Sequence, residues 1–485
     1  MKLSQAITMR PPSLLIGLLV LAAAPLHAGY IREEIPLPPG EVMEIGSIAL
    51  MPGKKIAVTT RRGDLWICEG AYGNDLSKVT WHRFAEHLHE PFGMFWKHDS
   101  LWLTQRPEVT RIEDTDADGL ADVFETICDD WGINGDYHEY AFGSTPDAEG
   151  DIWVVLCLTG SGAARSNWRG WCMRVTPEGG MIPTCSGIRS PGGIGFNAAG
   201  DCFYTDNQGP WNGSSSLKWL RPGSFQGNPT GNKYHELAGL PAPPEPQDGS
   251  RILTERERYP EFIPPAVVLP HGKVGQSPTA VITDHTGGRF GPFAGQVLVG
   301  EQTHSQVQRV CLEKVNGLYQ GAVFHFIEGF EAGIVPMRLS DSGTLFVGGT
   351  NRGWASRGSK PFTFERVRWD GETGFEIHTM SARPDGFELT FTHPVDPAAA
   401  GDPASYGMRA WTYIYQSKYG SPEVDESFPK VTAAEVADDG RSVRLTVDGL
   451  VRGHVHQLDC PGVKSADGKT LVHPTGWYTL NEIPD

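Results

Sequence analysis

Acidic side chains with the spacing of a calcium-binding loop lie in the first third of the chain. Residues 114–125 read DTDADGLADVFE, which places acids at loop positions one, three, five, nine and twelve and glycine at position six. Oxygen ligands at this spacing can surround one hard cation. The alternative interpretation of this segment is a solvated acidic turn that binds no ion. The sequence predicts a structural calcium ion, with the following ligands: Asp114, Asp116, Asp118, Leu120, Asp122 and Glu125.

A second group of titratable and amide side chains lies in loops between short predicted strands. His138 and Arg189 are the candidate catalytic residues of this group. The candidate substrate- or cofactor-binding residues are Glu139, Arg106, Asp206, Asn207, Gln208, Glu301, His304, Asn351 and Arg352. Histidines, acids and arginines gathered at one mouth of a fold are typical of a catalytic or sugar-binding site. Taken singly, each could equally be a packed or turn-capping residue.

These loops belong to a repeat in which an apolar strand, a polar turn and a second strand with an aromatic residue recur. Its copies cover residues 48–68, 91–112, 139–158, 192–209, 279–312 and 333–353. Six such copies predict an all-β fold with a six-bladed β-propeller over residues 29–374, interrupted by a long insertion near 220–275. Residues 375–485 lack the repeat. They contain predicted strands of alternating polar and apolar residues joined by Asp-Gly turns, which predicts an independent, immunoglobulin-like β-sandwich.

Composition and the N-terminal pattern restrict the class of partner and the compartment. A net charge of -17 argues against a nucleic-acid partner, because a nucleic acid is itself negatively charged and binds to clustered lysine and arginine. Residues 1–28 carry a basic start, a short apolar stretch and a small residue at the end, the pattern of a signal peptide. We therefore expect a periplasmic or secreted protein with no stable membrane span after cleavage.

Eight cysteines in such a compartment favour disulfides, with Cys157–Cys172 as the preferred pair, while buried free thiols remain the alternative. The two preferred partners lie on predicted consecutive strands.

Two segments carry a resemblance to a known family. YHEYAFGSTPDAEGDIWVV, starting at Tyr137, and GIRSPGGIGF with YTDNQGPWNGSSSL, within residues 187–217, resemble motifs of the soluble quinoprotein glucose/sorbosone dehydrogenases. Within that family, this chain is most similar to the branch that is found in exported proteins labelled membrane-bound dehydrogenase. The resemblance implies a propeller that binds pyrroloquinoline quinone, with His138 as general base toward a sugar hydroxyl and Arg189 stabilising the oxyanion of the reduced cofactor.

The chain departs from that family pattern at positions that would bind the quinone. Thr303 stands where a cofactor-binding lysine is expected, Ser190 replaces an asparagine, and FEAGIVPM lacks the expected arginines. We expect a carbohydrate substrate, with a separate electron acceptor if the chemistry is redox. The first hypothesis is thus an exported aldose oxidoreductase. The alternatives are a non-redox carbohydrate-active enzyme, either a glycoside hydrolase or a lyase, and a carbohydrate-binding receptor.

Overall fold

Six antiparallel sheets surround a central axis in the computed structural model, which describes residues 29–351 and 353–485. The predicted signal peptide at residues 1–28 and Arg352 lie outside the described residues. Each blade has four strands, given from the innermost strand outward. Blade one is β2 (Ile45–Met51), β3 (Lys55–Thr60), β4 (Leu65–Glu69) and β5 (Thr80–Ala85); blade two is β6 (Gly93–Lys97), β7 (Ser100–Thr104), β8 (Val109–Glu113) and β9 (Val123–Cys128); blade three is β10 (Ala141–Pro146), β11 (Ile152–Leu156), β12 (Trp171–Val175) and β13 (Met181–Ser186). Blade four is β14 (Pro191–Phe196), β15 (Cys202–Asp206), β16 (Ser215–Trp219) and β17 (Val267–Leu269); blade five is β18 (Pro278–Thr283), β19 (Val297–Glu301), β20 (Gln306–Val315) and β21 (Leu318–Ile327); blade six is β22 (Ile334–Leu339), β23 (Thr344–Thr350), β24 (Phe362–Trp369) and β1 (Tyr30–Glu34).

The ring closes through the first strand of the described chain. The innermost strands of neighbouring blades lie side by side, and β22 of blade six lies beside β2 of blade one. Strand β1 pairs antiparallel with β24, with Tyr30 opposite Trp369 and Glu34 opposite Glu365, so blade six combines strands from both ends of the propeller. The six-bladed propeller predicted from the repeat is therefore confirmed.

The long insertion lies inside blade four and not between blades four and five as the sequence suggested. It joins β16 to the outer strand β17, because the short run Val267–Leu269 pairs with Ser215–Leu217. The insertion holds three of the seven short helices of the described chain, which are α1 (His235–Ala238), α2 (Ile252–Arg258), α3 (Pro397–Ala400) and the 3₁₀ helices Pro52–Lys54, Leu76–Lys78, Pro229–Tyr234 and Pro403–Ser405. Among the described residues, no helix has the length and apolar character needed to cross a membrane.

The C-terminal unit, residues 375–485, contributes strands to two sheets. One is a separate four-stranded sheet, and the other extends the outer edge of blade five into an eight-stranded sheet. The strands are β25 (Ile377–Arg383), β26 (Gly386–Phe391), β30 (Ser442–Asp448) and β29 (Lys430–Val436) in the first sheet, and β32 (Thr475–Leu480), β31 (His454–Asp459), β27 (Gly407–Tyr413) and β28 (Glu423–Ser427) in the extension.

The shared sheet corrects the expectation of an independent sandwich. Strand β32 pairs with blade-five strand β21, with Trp477 opposite Val323 and Thr479 opposite Gly321. One hydrophobic cluster contains both the blade-five residue Phe324 and the C-terminal residue Phe387, each fully buried. The C-terminal unit is thus joined to the propeller by backbone pairing and a common core. The immunoglobulin-like character of this unit stays a prediction.

The cysteine arrangement differs from the preferred disulfide. All eight cysteines are free and buried. The register of the strands does not bring Cys157 opposite Cys172, because Cys172 lies opposite Val155 on one neighbouring strand and opposite Cys185 on the other. Cys157 instead lies near the hydroxyl of Ser161, which makes the buried free thiols the correct alternative.

We expect a chain shortened to residues 29–374 to aggregate or to melt at lower temperature than the full protein. Removing the C-terminal unit exposes the edge of β21 and uncovers Phe324, and unpaired edges promote association. Phe387→Ala in the full chain should destabilise the fold by about 3–5 kcal/mol, the usual cost of emptying a buried phenylalanine site. Thermal melting and size-exclusion chromatography measure both effects.

The matched control for Phe387→Ala is Phe428→Ala, because the Phe428 side chain is exposed and should contribute little to stability. A monomeric shortened chain with the melting temperature of the full protein would show that the C-terminal unit is independent after all.

Candidate active site

A cavity of about 700 Å³ lies at one end of the propeller axis. Its walls come from the loops that lead into the innermost strands, from the loops that follow the second strands, and from Tyr419 of the C-terminal unit. The lining residues are Arg61, Phe92, Tyr137, His138, Tyr140, Phe142, Gly160, Ser161, Arg189, Ser190, Pro191, Gly192, Asn207, Gln208, His271, Gln276, Ser277, Pro278, Thr279, Gln302, Thr303, Val335, Thr350, Trp354, Ala355 and Tyr419. His138 and Arg189, the two candidate catalytic residues, therefore share one cavity.

His138 lies in the loop that leads into blade three, and its side chain is partly exposed to the cavity. Asp136 organises this loop, because its Oδ1 accepts hydrogen bonds from the backbone N–H groups of His138 and Gly160, each at 2.8 Å. The same Asp136 Oδ1 lies 3.8 Å from the His138 Nδ1. Burial lowers the pKa of His138 and is opposed by the charge of Asp136, while Arg189 and Arg106 lower it further. At neutral pH the imidazole is thus uncharged and able to accept a proton.

Arg189 lies in the loop that leads into blade four, and backbone carbonyls hold its guanidinium. Its Nη1 donates to the carbonyl oxygens of Asn207 at 3.2 Å and Gln208 at 2.7 Å. Gly209 lies so close to this guanidinium that an added Cβ at that position would overlap the Arg189 Cζ. None of the ion pairs among the described residues places a carboxylate on Arg189. Its charge is therefore available to an anionic or electron-rich ligand atom in the cavity.

Two predicted site residues, from blades two and three, are buried outside the cavity lining and support its loops. Arg106 is buried, donates to a carboxylate oxygen of Glu90, and donates to the carbonyl oxygens of Asp136 and Tyr137 at 2.7 Å each. Glu139 is fully buried and accepts hydrogen bonds from the Asn134 N–H at 2.6 Å and from hydroxyl groups. Neither side chain lines the cavity, so both position the loop that carries His138.

The blade-four and blade-five acids have the same supporting function. Asp206 is fully buried, accepts from the Ser190 N–H at 2.8 Å, and forms an ion pair with Lys218 at 3.1 Å. Glu301 accepts from the Gln276 N–H at 3.0 Å and from the N–H groups of Ser277 and His304. Burial raises the pKa of Glu301, against the effect of these hydrogen bonds.

The remaining predicted site residues divide between lining and structural positions. Asn207 and Gln208 line the cavity, and their binding of a ligand stays a prediction. His304 is buried outside the lining, and burial together with the charge of Arg357 lowers its pKa to about 4. Asn351 accepts from the Gly333 N–H at 2.9 Å and donates to the Gly358 carbonyl at 3.1 Å, which fixes the loop after β23. Arg352 is not among the described residues.

The predicted calcium loop brings three of its acids together. Ligand oxygens of Asp114, Asp116 and Asp122 all lie within 4.8 Å of one another. The Asp114 Oδ1 is buried without a hydrogen-bond partner. Glu125 lies on β9 and pairs with Arg111 at 2.6 Å, so the twelfth position does not close the site in this arrangement.

Asp118, another predicted ligand, also lies outside the carboxylate cluster. Asp118 accepts from the Leu120 N–H at 2.8 Å and is not one of the three converging acids. Three carboxylates with a buried, unpartnered oxygen are donors that suit a hard cation, so the site fits calcium through these three residues.

Sequence reasoning missed several lining residues. Tyr137 and Tyr140 flank His138 and could have been found as neighbours of the motif, and His271 precedes the turn into blade five. Tyr419 belongs to the C-terminal unit, more than 200 residues from its neighbour Arg189 in sequence, and no local pattern indicates it. Trp354 also lines the cavity, whereas Trp131 and Trp168 are buried elsewhere.

Three solved structures are similar to about 70% of this chain. A putative oxidoreductase (glucose dehydrogenase) from Thermus thermophilus is 16% identical, with a TM-score of 0.50 over 70% of this chain and 100% of that chain. An aldose sugar dehydrogenase from Streptomyces coelicolor, solved with PQQ bound, is 13% identical, with a TM-score of 0.48 over 70% and 98% of the two chains. The PQQ domain of a pyranose dehydrogenase from Coprinopsis cinerea is 14% identical, with a TM-score of 0.49 over 70% and 95%. The chain has the propeller fold of the soluble quinoprotein glucose/sorbosone dehydrogenase-like family.

The sequence also identifies a more specific family. Residues 75–324, just over half of the chain, match the family described as "Domain of unknown function (DUF7133)", and this protein belongs to that family. No curated protein matches the chain.

The described lining does not fit pyrroloquinoline quinone, whose three carboxylates need cationic partners. Thr303 occupies the expected lysine position, and its hydroxyl group lies 3.3 Å from the Gln302 Oε1. Arg61 already pairs with Glu90 at 3.4 Å and donates to the Tyr140 hydroxyl at 2.8 Å. The guanidinium of Arg189 is the remaining lining arginine among the described residues, and one guanidinium cannot neutralise three carboxylates. We therefore assign no step to this quinone.

We expect the pKa of His138 to lie below 6.5 and to fall further in Asp136→Asn. The carboxylate of Asp136 favours the charged imidazolium, so its removal must lower the pKa of the histidine. A pH titration of the His138 signal in NMR spectra of histidine-labelled protein measures both values. Asp341→Asn, which alters a distant carboxylate beside His285, is the control. A higher His138 pKa in Asp136→Asn would contradict this electrostatic description.

Proposed function

We propose that this protein is a sugar oxidoreductase that binds an aldose in the axial cavity. The observation that carries the proposal is that His138 and Arg189, from loops of consecutive blades, line one cavity together with neutral amide and hydroxyl groups. Such a lining suits an uncharged, hydroxyl-rich ligand. The propeller fold shared with sugar dehydrogenases supports the same substrate class. We further propose that the protein acts in the periplasm or outside the cell, as the N-terminal pattern suggests.

In this proposal His138 accepts the proton of a sugar hydroxyl group. The imidazole is uncharged at neutral pH because its pKa is lowered, and Asp136 stabilises the imidazolium that forms. Arg189 donates toward the oxygen on which negative charge develops. Its position is fixed by the Asn207 and Gln208 carbonyls before the substrate arrives, so no reorganisation of the guanidinium is needed.

Oxidation of an aldose also removes a hydride, and this step requires an electron acceptor. Because the described cavity lacks partners for three carboxylates, we propose an acceptor with less negative charge than pyrroloquinoline quinone. The same observation favours a second candidate function, non-redox chemistry on a saccharide, in which His138 would transfer a proton without hydride removal.

A dye-reduction assay with a panel of aldoses tests the proposed activity. We expect purified full-length protein to reduce an electron-accepting dye only when an aldose is present. His138→Ala should lower the rate about 100-fold or more, the usual effect of losing a general base. The control His285→Ala changes a histidine that lies outside the cavity lining and should retain the rate.

The same assay separates the two candidate functions. A dye-reduction rate that depends on added pyrroloquinoline quinone would contradict our conclusion that the cavity lining does not fit this quinone. Glycosidic-bond cleavage without dye reduction would reject the oxidoreductase and support the non-redox function, whereas aldose binding without any reaction would support a carbohydrate-binding receptor. No response to any saccharide would reject both.

We propose that calcium binds through Asp114, Asp116 and Asp122 and stabilises the excursion between β8 and β9. A chelator should lower the melting temperature of the wild-type protein, because an ion that binds only the folded state stabilises it by mass action. The double variant Asp114→Asn with Asp122→Asn should lose both the bound metal and the chelator effect. Asp118→Asn, outside the cluster, should retain both. Unchanged metal content in the double variant would disprove the site.

A further inference from the structure

Exposed tyrosine and tryptophan side chains concentrate at the axial cavity. Among the described residues, the side chains of these two types that are clearly exposed are Tyr137, Trp354 and Tyr419, and all three line the cavity. Tyr419 is 68% exposed and Trp354 is 56% exposed. Large aromatic rings left open around a concave surface are typical of a binding site that a ligand covers.

Tyr419 differs from the other two because the C-terminal unit supplies it. It lies in the connection between β27 and β28, which the backbone anchors onto the loop after β15. The N–H of Trp211 donates to the Gln416 carbonyl at 2.7 Å, and the N–H of Gly420 donates to the Gly209 carbonyl at 3.1 Å. These bonds hold the backbone on both sides of Tyr419, so its Cα stays at the cavity wall although the ring is exposed.

The contact between the two loops is too close for larger residues. A Cβ added to Gly213 would lie 2.7 Å from the Tyr413 Cβ. Gly420 has a φ of +63°, and a Cβ added there would lie 2.7 Å from the Gln208 side chain. Both glycines therefore permit the C-terminal connection to approach the cavity wall. The anchoring and the glycines together indicate a defined contact, in which the backbone of Tyr419 has a fixed place.

The Tyr419 ring lies next to the proposed chemistry. The Arg189 Cζ is 5.2 Å from the ring centroid, and both side chains line the cavity. The ring thus projects from an anchored backbone, lies next to a guanidinium, and is largely open to solvent. An aromatic face of this kind offers an apolar platform next to polar groups, which matches a pyranose: its C–H groups form apolar faces and its hydroxyl groups lie around the edge.

We propose that Tyr419 is a substrate-binding residue that stacks on a pyranose ring, so that the C-terminal unit completes the saccharide site of the propeller. This inference rests on the proposed action on a carbohydrate and adds a stated ligand class, cyclic pyranoses, and a specificity residue. Acyclic polyols present no rigid apolar face and gain little from such a platform.

Isothermal titration of the full chain with glucose, xylose, mannose and galactose, and with the acyclic polyol sorbitol, tests the proposal. Tyr419→Ala should weaken binding of the pyranoses about tenfold, the scale of a lost aromatic contact. Tyr419→Phe should bind like the wild type, because the ring and not the hydroxyl group makes the contact. Sorbitol should bind weakly to all variants. The control Phe428→Ala removes an equally exposed ring of the same unit that lies outside the cavity lining.

The outcomes separate this inference from the proposed function. Pyranose binding that is unchanged in Tyr419→Ala would overturn the stacking proposal alone, and so would a Tyr419→Phe variant as weak as Tyr419→Ala. Failure of every saccharide to bind the wild type would overturn the proposed function and the inference with it. Melting temperatures equal to wild type are expected for these variants because the ring is largely exposed.

Discussion

Closure of blade six by the first strand of the propeller is the constraint on which the rest of the structure depends. Strand β1 pairs with β24, and the buried Arg366 joins this blade to blade one, because its Nη1 donates to the carbonyl oxygens of Ala71 at 2.7 Å and Gly73 at 2.6 Å. Its Nη2 also pairs with Glu33 of β1 at 2.9 Å. Each blade buries its faces against its neighbours, so an open ring would expose two blade faces. Closure therefore fixes the direction of all the loops that line the cavity.

Buried charges hold those loops, and partly exposed side chains remain available for a ligand. Arg106 supports the His138 loop through backbone carbonyls, and Asp206 supports the N–H group that follows Arg189. This division is expected of a preorganised site, in which supporting residues fix the groups that contact the substrate. The shared sheet of blade five adds a further constraint, because it holds the C-terminal unit against the propeller and thereby places Tyr419 at the cavity.

Much of the fold was predictable from the sequence because its signals are local. Each blade repeats an apolar strand, a turn and an aromatic position, so six copies predicted six blades, and loop positions predicted that His138 and Arg189 face one cavity. Long-range pairing was not predictable: neither the union of β32 with β21 nor the approach of Tyr419 to Arg189 has a local sequence pattern. Residue type also could not distinguish a supporting acid such as Glu139, which is fully buried, from a residue that contacts a ligand.

The most direct test of the central claim is a crystal structure of the full-length protein with a bound aldose. We predict a pyranose in the axial cavity, with a ring hydroxyl within about 3.2 Å of an imidazole nitrogen of His138 and a sugar oxygen at a similar distance from the Arg189 guanidinium. An aldose bound elsewhere on the protein, with neither side chain in contact with it, would contradict the assignment of this cavity as the active site.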